Sequence, residues 1–518
     1  MSFCFQSVSL KQKIIFLKLF SLFKMTVLSY ITEILIILTV ILLKFLWGRN
    51  RKFEWANDIP GPKTLPVIGN ALTLYCRDYE IFFQNLMQCC QNFPSPMKLS
   101  TGLKLYVIFS DPFQVEKIFT SNALLNKDDL YKYIEVFYGE SLITGSGSKW
   151  KKDRRLLSPL FLIKNIKQYF PAMLKHSEIL VDILQTHEDG LSFNVERFLH
   201  RAVTDIVNET IIGFKANCQR TNELDSFIHH ITRAYNLVHQ RMIKPWLQIE
   251  FLYKLSKNYR QQMEAKDVIY NFFRKSLEHA KEQHVHQGNG EAVRSMLDQM
   301  LDIRDEVPHF ASDEEILHHL ITLFSAGEDT ITLITSFTLV MLGLHPECQN
   351  KVAQELHSVL GDDNLQEFHL SKLTYLEMVI KETMRLFPIA PLVLRQASQD
   401  TELESWKIPQ GTTVSVNIFH IHRDKRHWLK PQEFYPEHFL PEAVSKRHPY
   451  AYLPFSAGSR GCLGKRYAYM AMEVILATIL RRYSVKTEGS LNNLELSADL
   501  SVRLKGNNYS IKISKRVF

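Results

Sequence analysis

The sequence predicts a mainly α-helical protein with small β-sheets: one large helical domain behind an N-terminal transmembrane helix. Three observations predict it. Val27 to Leu46 is almost wholly apolar, and ~20 residues at 1.5 Å each span a ~30 Å hydrocarbon core. Helical periodicity runs through Val352–Leu360, Leu373–Leu386 and Tyr467–Tyr483, whereas Leu103–Phe109 and Thr412–Ile418 alternate like strands. No repeat, low-complexity tract or long linker divides residues 63–518. Composition is that of a globular chain: 518 residues, 46% hydrophobic and 22% charged. A net charge of +8 is too thin over this length for a nucleic-acid protein. Seven cysteines exclude a disulfide scaffold and suit a reducing compartment.

Taken in order, residues 26–47 are the expected transmembrane anchor. Glu33 and Lys44 are its charges, and Lys44, near one end, can snorkel. No small-residue cleavage site follows. Arg49, Arg51 and Lys52 come next and would hold the following domain in the cytosol. Lys11, Lys13, Lys18 and Lys24 precede the span and oppose that bias. Translation from Met25 would remove them, so residues 1–24 are read as an extension that the native protein need not contain. Residues 48–62, basic and ending in Ile59-Pro60-Gly61-Pro62, are expected to be a stiff linker, because proline locks φ and removes a donor.

One internal helix stands out. Ser312-Asp313-Glu314-Glu315 is an N-cap with acids in the first turn, and His345-Pro346 is the stop. The ~30 residues between would form ~45 Å of helix. They are largely apolar, except for His318, His319 and Glu328-Asp329 in the middle. A second membrane span would have to place two adjacent acids in lipid, so a helix through a protein core is expected. Gly327 costs helix stability, which suggests close approach to the backbone there. Asp329 and Thr330 beside such a site suggest proton delivery.

The strongest pattern is Phe455-Ser456-Ala457-Gly458-Ser459-Arg460-Gly461-Cys462-Leu463-Gly464, followed by a helical run from Lys465. It places one cysteine in a glycine-rich loop before a helix. Glycines there allow tight turns against a planar ligand. Backbone N–H groups and the helix N-terminus would favour a thiolate, and Arg460 could neutralise an anionic ligand edge.

Here the chain resembles the cytochrome P-450 family of haem-thiolate monooxygenases, whose haem-binding pattern is Phe-x-x-Gly-x-Arg-x-Cys-x-Gly. Phe455, Gly458, Arg460, Cys462 and Gly464 match its fixed positions. The resemblance covers nearly the whole chain and implies the family's fold. Glu382 and Arg385 match the Glu-x-x-Arg pair that locks the core beneath the haem. Ala326-Gly327-Glu328-Asp329-Thr330 matches the oxygen-activation motif, which makes Thr330 and Asp329 the proton-relay residues. Trp150 and Arg154 match the Trp-x-x-x-Arg pattern that holds a haem propionate. Arg395, just after Pro391, stands where the family has another propionate-binding arginine.

Lys244-Pro245-Trp246-Leu247 and His422-Arg423-Asp424 are similar to the branch with fatty-acid ω-hydroxylases and many insect microsomal enzymes. Two departures matter. That branch often has a glutamate at Ala326 that can esterify the haem, so here the resemblance implies haem b (iron protoporphyrin IX) held only by the Cys462–iron bond, propionate contacts and packing. The family's Pro-Glu-Arg-Phe is Pro436-Glu437-His438-Phe439, so His438 replaces the arginine that joins the Glu382–Arg385 lock and lacks its bidentate fork.

The resemblance further implies a membrane-bound monooxygenase in the endoplasmic reticulum, with the catalytic domain facing the cytosol. It would insert one atom of O2 into a fatty acid, hormone or foreign lipophile. Electrons would come from an NADPH-cytochrome P-450 reductase, with cytochrome b5 as an optional second donor, because no glycine-rich nucleotide motif or flavin domain is visible. Lys465 and Arg466 near Cys462 are candidate docking residues. Two other readings are a haem-thiolate isomerase or dehydratase acting on peroxides, opposed by the Asp329-Thr330 pair, and a haem-binding protein without turnover, suggested only by His438.

Overall fold

The computed structural model describes residues 10–74, 79–101, 104–286, 293–307 and 310–516. The first nine residues of the expected extension, and Leu103 at the expected start of a strand, lie outside them.

Helix α1 spans Leu10–Phe53, 44 residues, or ~66 Å at 1.5 Å each. Residues 10–47 contain neither glycine nor proline, so nothing interrupts the helix at Met25. The apolar stretch Ile14–Gly48, whose most apolar 18-residue window has a mean hydropathy of 2.3 and no buried part, is a candidate membrane anchor and contains residues 26–47. The segment 48–62 is partly helix, since α1 continues to Phe53. Its end is docked: Ile59 is buried, and Pro60 O accepts from Lys98 N at 2.7 Å.

The body is a stack of helices with a small sheet at one side. Its principal helices are α2 Gly147–Leu157, α3 Phe170–Leu184, α4 Glu196–Val207, α5 Asp225–Ile243, α6 Lys257–His286, α7 Asp313–Leu344, α8 Pro346–Leu360, α9 Thr374–Leu386 and α10 Lys465–Arg482. Strands β1 Met97–Thr101, β2 Lys104–Phe109, β3 Leu392–Gln396 and β4 Thr413–Asn417 form one sheet in the order β1-β2-β4-β3. Its β2–β4 pair is parallel and the others are antiparallel. A hairpin of β5 Leu496–Ala498 and β6 Val502–Leu504 reaches in from the C-terminal part. One core fills the helical stack around α7 and α10; a second lies under the sheet around Val107, Phe109, Ile118, Val414 and Val416.

The central helix begins as its sequence predicts. Ser312 and Glu315 form a capping box, and Pro346 opens the next helix. Most of its apolar window is buried, 78%, so α7 is a core helix and not a second membrane span. Thr332 and Thr335 are buried with their hydroxyls unpartnered, while Ser336 and Thr338 bond locally, donating to the carbonyls of Thr332 and Ile334. That bonding lets a polar-spotted helix cross an apolar core.

Candidate active site

Between α7 and the loop ahead of α10 lies a cavity of about 1460 Å³. Ala326, Gly327 and Thr330 line one wall, and Phe455, Arg460, Cys462 and Gly464 line the other. The Cys462 loop is held by its backbone, with Cys462 N donating to Phe455 O at 2.8 Å. Gly458 is required there. Its φ is +67°, and a Cβ would sit 2.1 Å from Phe119 O. Gly464 caps α10 with an ordinary φ of −80°, so its backbone makes no such demand. Nor does packing demand Gly327, where a Cβ would meet Val207 at 3.6 Å and Ile211 at 3.8 Å. The close approach expected at Gly327 is therefore not made by protein atoms.

Burial pushes the Cys462 thiol above its usual value, opposed by the N–H groups of Gly464 and Lys465 and by the charges of Arg154 and Lys465. The thiolate-favouring groups read from the sequence are in place, but alone they do not outweigh desolvation. A metal ligated by the sulfur would displace the proton.

At one edge of the cavity, three cations gather without an acid. Arg460 lies 3.5 Å above the Trp150 ring, donates to Leu125 O and Gly145 O at 3.0 and 2.7 Å, and leaves Nη1 buried without a partner. Trp150 Nε1 is also buried and unpartnered. Arg395, 2% exposed on β3, spends one donor on Leu394 O at 3.1 Å. Lys127 completes the group; burial, Arg395 and Arg460 push it well down. Burial likewise pushes Arg460 down to about 9, with Arg395 adding to the effect. Such a corner calls for an anion with two negative groups. The two carboxylates of haem fit it, with Cys462 on the same cavity wall.

Arg154 lines the same cavity, and its charge adds to the lowering of Arg460. Its Nη2 donates to Gly461 O at 2.7 Å, so it braces the cysteine loop while its Trp-x-x-x-Arg partner Trp150 faces the anion site. Lys127 was invisible in the sequence reading, since it lies 268 residues from Arg395 in the chain and carries no motif.

On α7, Thr330 Oγ1 donates to Ala326 O at 2.8 Å, one turn back. Asp329 accepts from Ser501 Oγ at 2.5 Å and from Arg503 Nη2 at 2.7 Å. Burial pushes Asp329 above the usual carboxylate range; Arg503 opposes this, while Asp499 and Glu328 add to it. Glu328 leaves α7 away from the cavity and meets His200 of α4.

Beneath the site, Glu382 and Arg385 of α9 are fully buried and bidentate, with contacts of 2.8 and 2.7 Å. The remaining Arg385 donors reach the carbonyls of His422, Pro431 and Glu433. His438 does join this lock: Nδ1 lies 3.2 Å from both Glu382 oxygens. Tyr435 N supplies Glu382 with a further donor at 2.8 Å. The fork lost with arginine is thus partly replaced by a backbone N–H and a shared imidazole contact.

Comparison with known proteins agrees with this geometry. The family model "Cytochrome P450" matches residues 59–513. The chain is 33% identical over 484 residues to Cytochrome P450 4V2 of Mus musculus, covering 90% of this chain and 91% of that protein. It is 31% identical over 454 residues to Cytochrome P450 4c21 of Blattella germanica, covering 85% and 90%. Against Cytochrome P450 4c3 of Drosophila melanogaster it is 29% identical over 491 residues, covering 90% and 91%. A cysteine lining a cavity, a cationic corner at its edge and a match along nearly all of the domain lead to one conclusion: the chain belongs to the cytochrome P450 family and is a haem-thiolate monooxygenase.

Proposed function

We propose that this enzyme inserts one atom of O2 into a lipophilic substrate, a fatty acid, hormone or xenobiotic, using electrons from an NADPH-dependent reductase. The observation that carries the reading is the cavity itself. It sets Cys462 across from Thr330 and continues into a chamber walled by Phe82, Ile134, Leu142, Ile211, Met242 and Ile334. Haem, ligated by Cys462, supplies the oxygen activation and redox chemistry when bound.

The chain's own residues divide the remaining work. Arg460, Arg395, Lys127 and Trp150 Nε1 hold the two carboxylates, and Arg154 fixes the loop that presents the sulfur. Thr330 holds a hydroxyl at the cavity wall, and Asp329 holds the next proton behind it. The apolar lining excludes water and takes up the substrate. Haem b is held without an ester, because Ala326 faces the cavity and offers no nucleophile while Glu328 is turned to His200. Exposed Lys465 and Arg466, beside the cysteine loop, support a docking face for an acidic reductase or cytochrome b5.

Apolar side chains exposed along α1 and the cations Arg49, Arg51 and Lys52 support anchoring in the endoplasmic reticulum membrane with the domain in the cytosol. Of the two glycosylation sequons, Asn208 is fully buried, so Asn508 alone can report on that orientation. The testing experiment is oxygen uptake by full-length enzyme in vesicles with reductase and NADPH. Reductase-dependent uptake is expected. Turnover of a fatty hydroperoxide without NADPH, and no uptake with it, would support the isomerase reading instead.

A further inference from the structure

Glu328 has no part in the cavity, yet it is 2% exposed and charged in kind. Its Oε1 abuts His200 Nε2. His200 Nδ1 lies 3.8 Å from Glu196 Oε1, one turn back on α4. The neighbouring Asp329 is tied to Arg503, which also binds Asp499 at 2.9 Å. A single seam between α4, α7 and the β5–β6 hairpin therefore holds the carboxyls of Glu196, Glu328, Asp329 and Asp499 against two cations, Arg503 and His200. The phenols of Tyr138, Tyr235 and Tyr509 also face it, as does the imidazole of His239 near Asp499, which burial pushes down to about 4, so none adds positive charge at neutral pH.

Even with His200 protonated, the seam would carry excess negative charge in a desolvated place if every acid were ionised. Buried uncompensated charge is avoided by taking up a proton. Asp329 and Asp499 both line the cavity, and Asp329 is the one beside Thr330 on α7.

We propose that Glu328 and His200 are positioning residues for proton delivery: His200 pairs with Glu328 from α4, and Glu328 favours a proton on Asp329 at the cavity wall. This rests on the monooxygenase reading above. The pair acts on the proton that Asp329 holds and touches neither substrate nor cofactor. Glu328 is one residue from Asp329, so their charges interact through a single turn of α7, while His200 comes from α4 and pairs with Glu328 from outside.

The test needs no identified substrate. Reductase-driven NADPH oxidation in air reduces oxygen either to peroxide, with two electrons and two protons, or to water, with four of each. The peroxide fraction is measured against pH for the haem-loaded wild type and for E328Q, H200Q, the double variant and E328D. In the wild type the peroxide fraction should rise as pH passes the Asp329 titration. In E328Q that transition should move to lower pH by about one unit, the size of one carboxylate acting on another. H200Q should move it to higher pH, because the cation that offsets the seam's acids is lost, the double variant should lie between the two single variants, and E328D should restore it. An unmoved transition in E328Q, or a peroxide rise equal at every pH, would overturn the proposal. So would loss of haem and of the normal reduced carbon-monoxide spectrum in both E328Q and H200Q, which would make the pair a structural tie. Absence of reductase-dependent oxygen uptake in the wild type would instead refute the monooxygenase reading.

Discussion

Two buried regions of this enzyme carry opposite charge imbalances. At the corner formed by Lys127, Arg395 and Arg460, cations gather with no acid in contact, and Arg460 Nη1 and Trp150 Nε1 are left without acceptors. Along the seam of Glu196, Glu328, Asp329 and Asp499, carboxyls outnumber the cations that face them. A protein interior tolerates neither excess as bare charge. The first kind of imbalance suits an anionic ligand, while the second favours proton uptake. The Glu382–Arg385 lock stands between them as a neutral reference, because its charges cancel within one bidentate pair.

The largest effect should come from unbalancing that reference. Arg385→Leu would strand the fully buried Glu382, which typically costs about 3–5 kcal/mol. We expect little folded, haem-loaded protein on expression, measured by the reduced carbon-monoxide spectrum per unit of polypeptide. Normal yields would show that the lock is dispensable. Next comes the cationic corner. Arg460→Ala should speed haem transfer to an excess of apomyoglobin by about 10–100-fold, the range seen when a group supporting a metal site is lost. An unchanged rate would place the two carboxylates elsewhere.

On the acidic side, Thr330→Ala should retain haem but lower NADPH-to-product coupling by about tenfold or more, with peroxide replacing product. Fully coupled turnover would remove Thr330 from proton delivery. A smaller effect concerns stability. Burial disfavours the His200 cation, but Glu328, Glu196 and Asp329 outweigh that and hold the imidazole at about 9. Its pKa is thus raised on folding, so its contribution is complete below about 6.5 and is lost as pH rises through about 9. His200→Gln should flatten the fall in thermal midpoint across that window; an equally steep fall would assign the loss to another group.

The two regions also differ in how far the sequence foretold them. The Cys462 loop was legible because its chemistry lies within ten residues, and Gly458 is required by a left-handed φ that only this residue type adopts freely. Glu382 and Arg385 were legible because one helical turn places them together. The extent of α7 could be read from its cap and its closing proline. What could not be read was whatever long-range topology brings in. Lys127 reaches the corner from a loop before α2, Arg503 and Ser501 reach Asp329 from a hairpin more than 170 residues away, and His200 meets Glu328 from α4. For Arg154 the motif marks a place at the cavity, while its bond to the Gly461 carbonyl could not be read. Apolarity marks residues 26–47 as the span, while the helix that carries them runs on to Leu10 and Phe53 because no breaker stops it between 10 and 47.

The central claim is that Cys462 is the sulfur ligand of the haem, and the absorption spectrum of the reduced carbon-monoxide complex tests it most directly. The wild type should give the red-shifted Soret band of thiolate ligation, and Cys462→Ala should abolish that band. An intact red-shifted band in the variant would contradict the account.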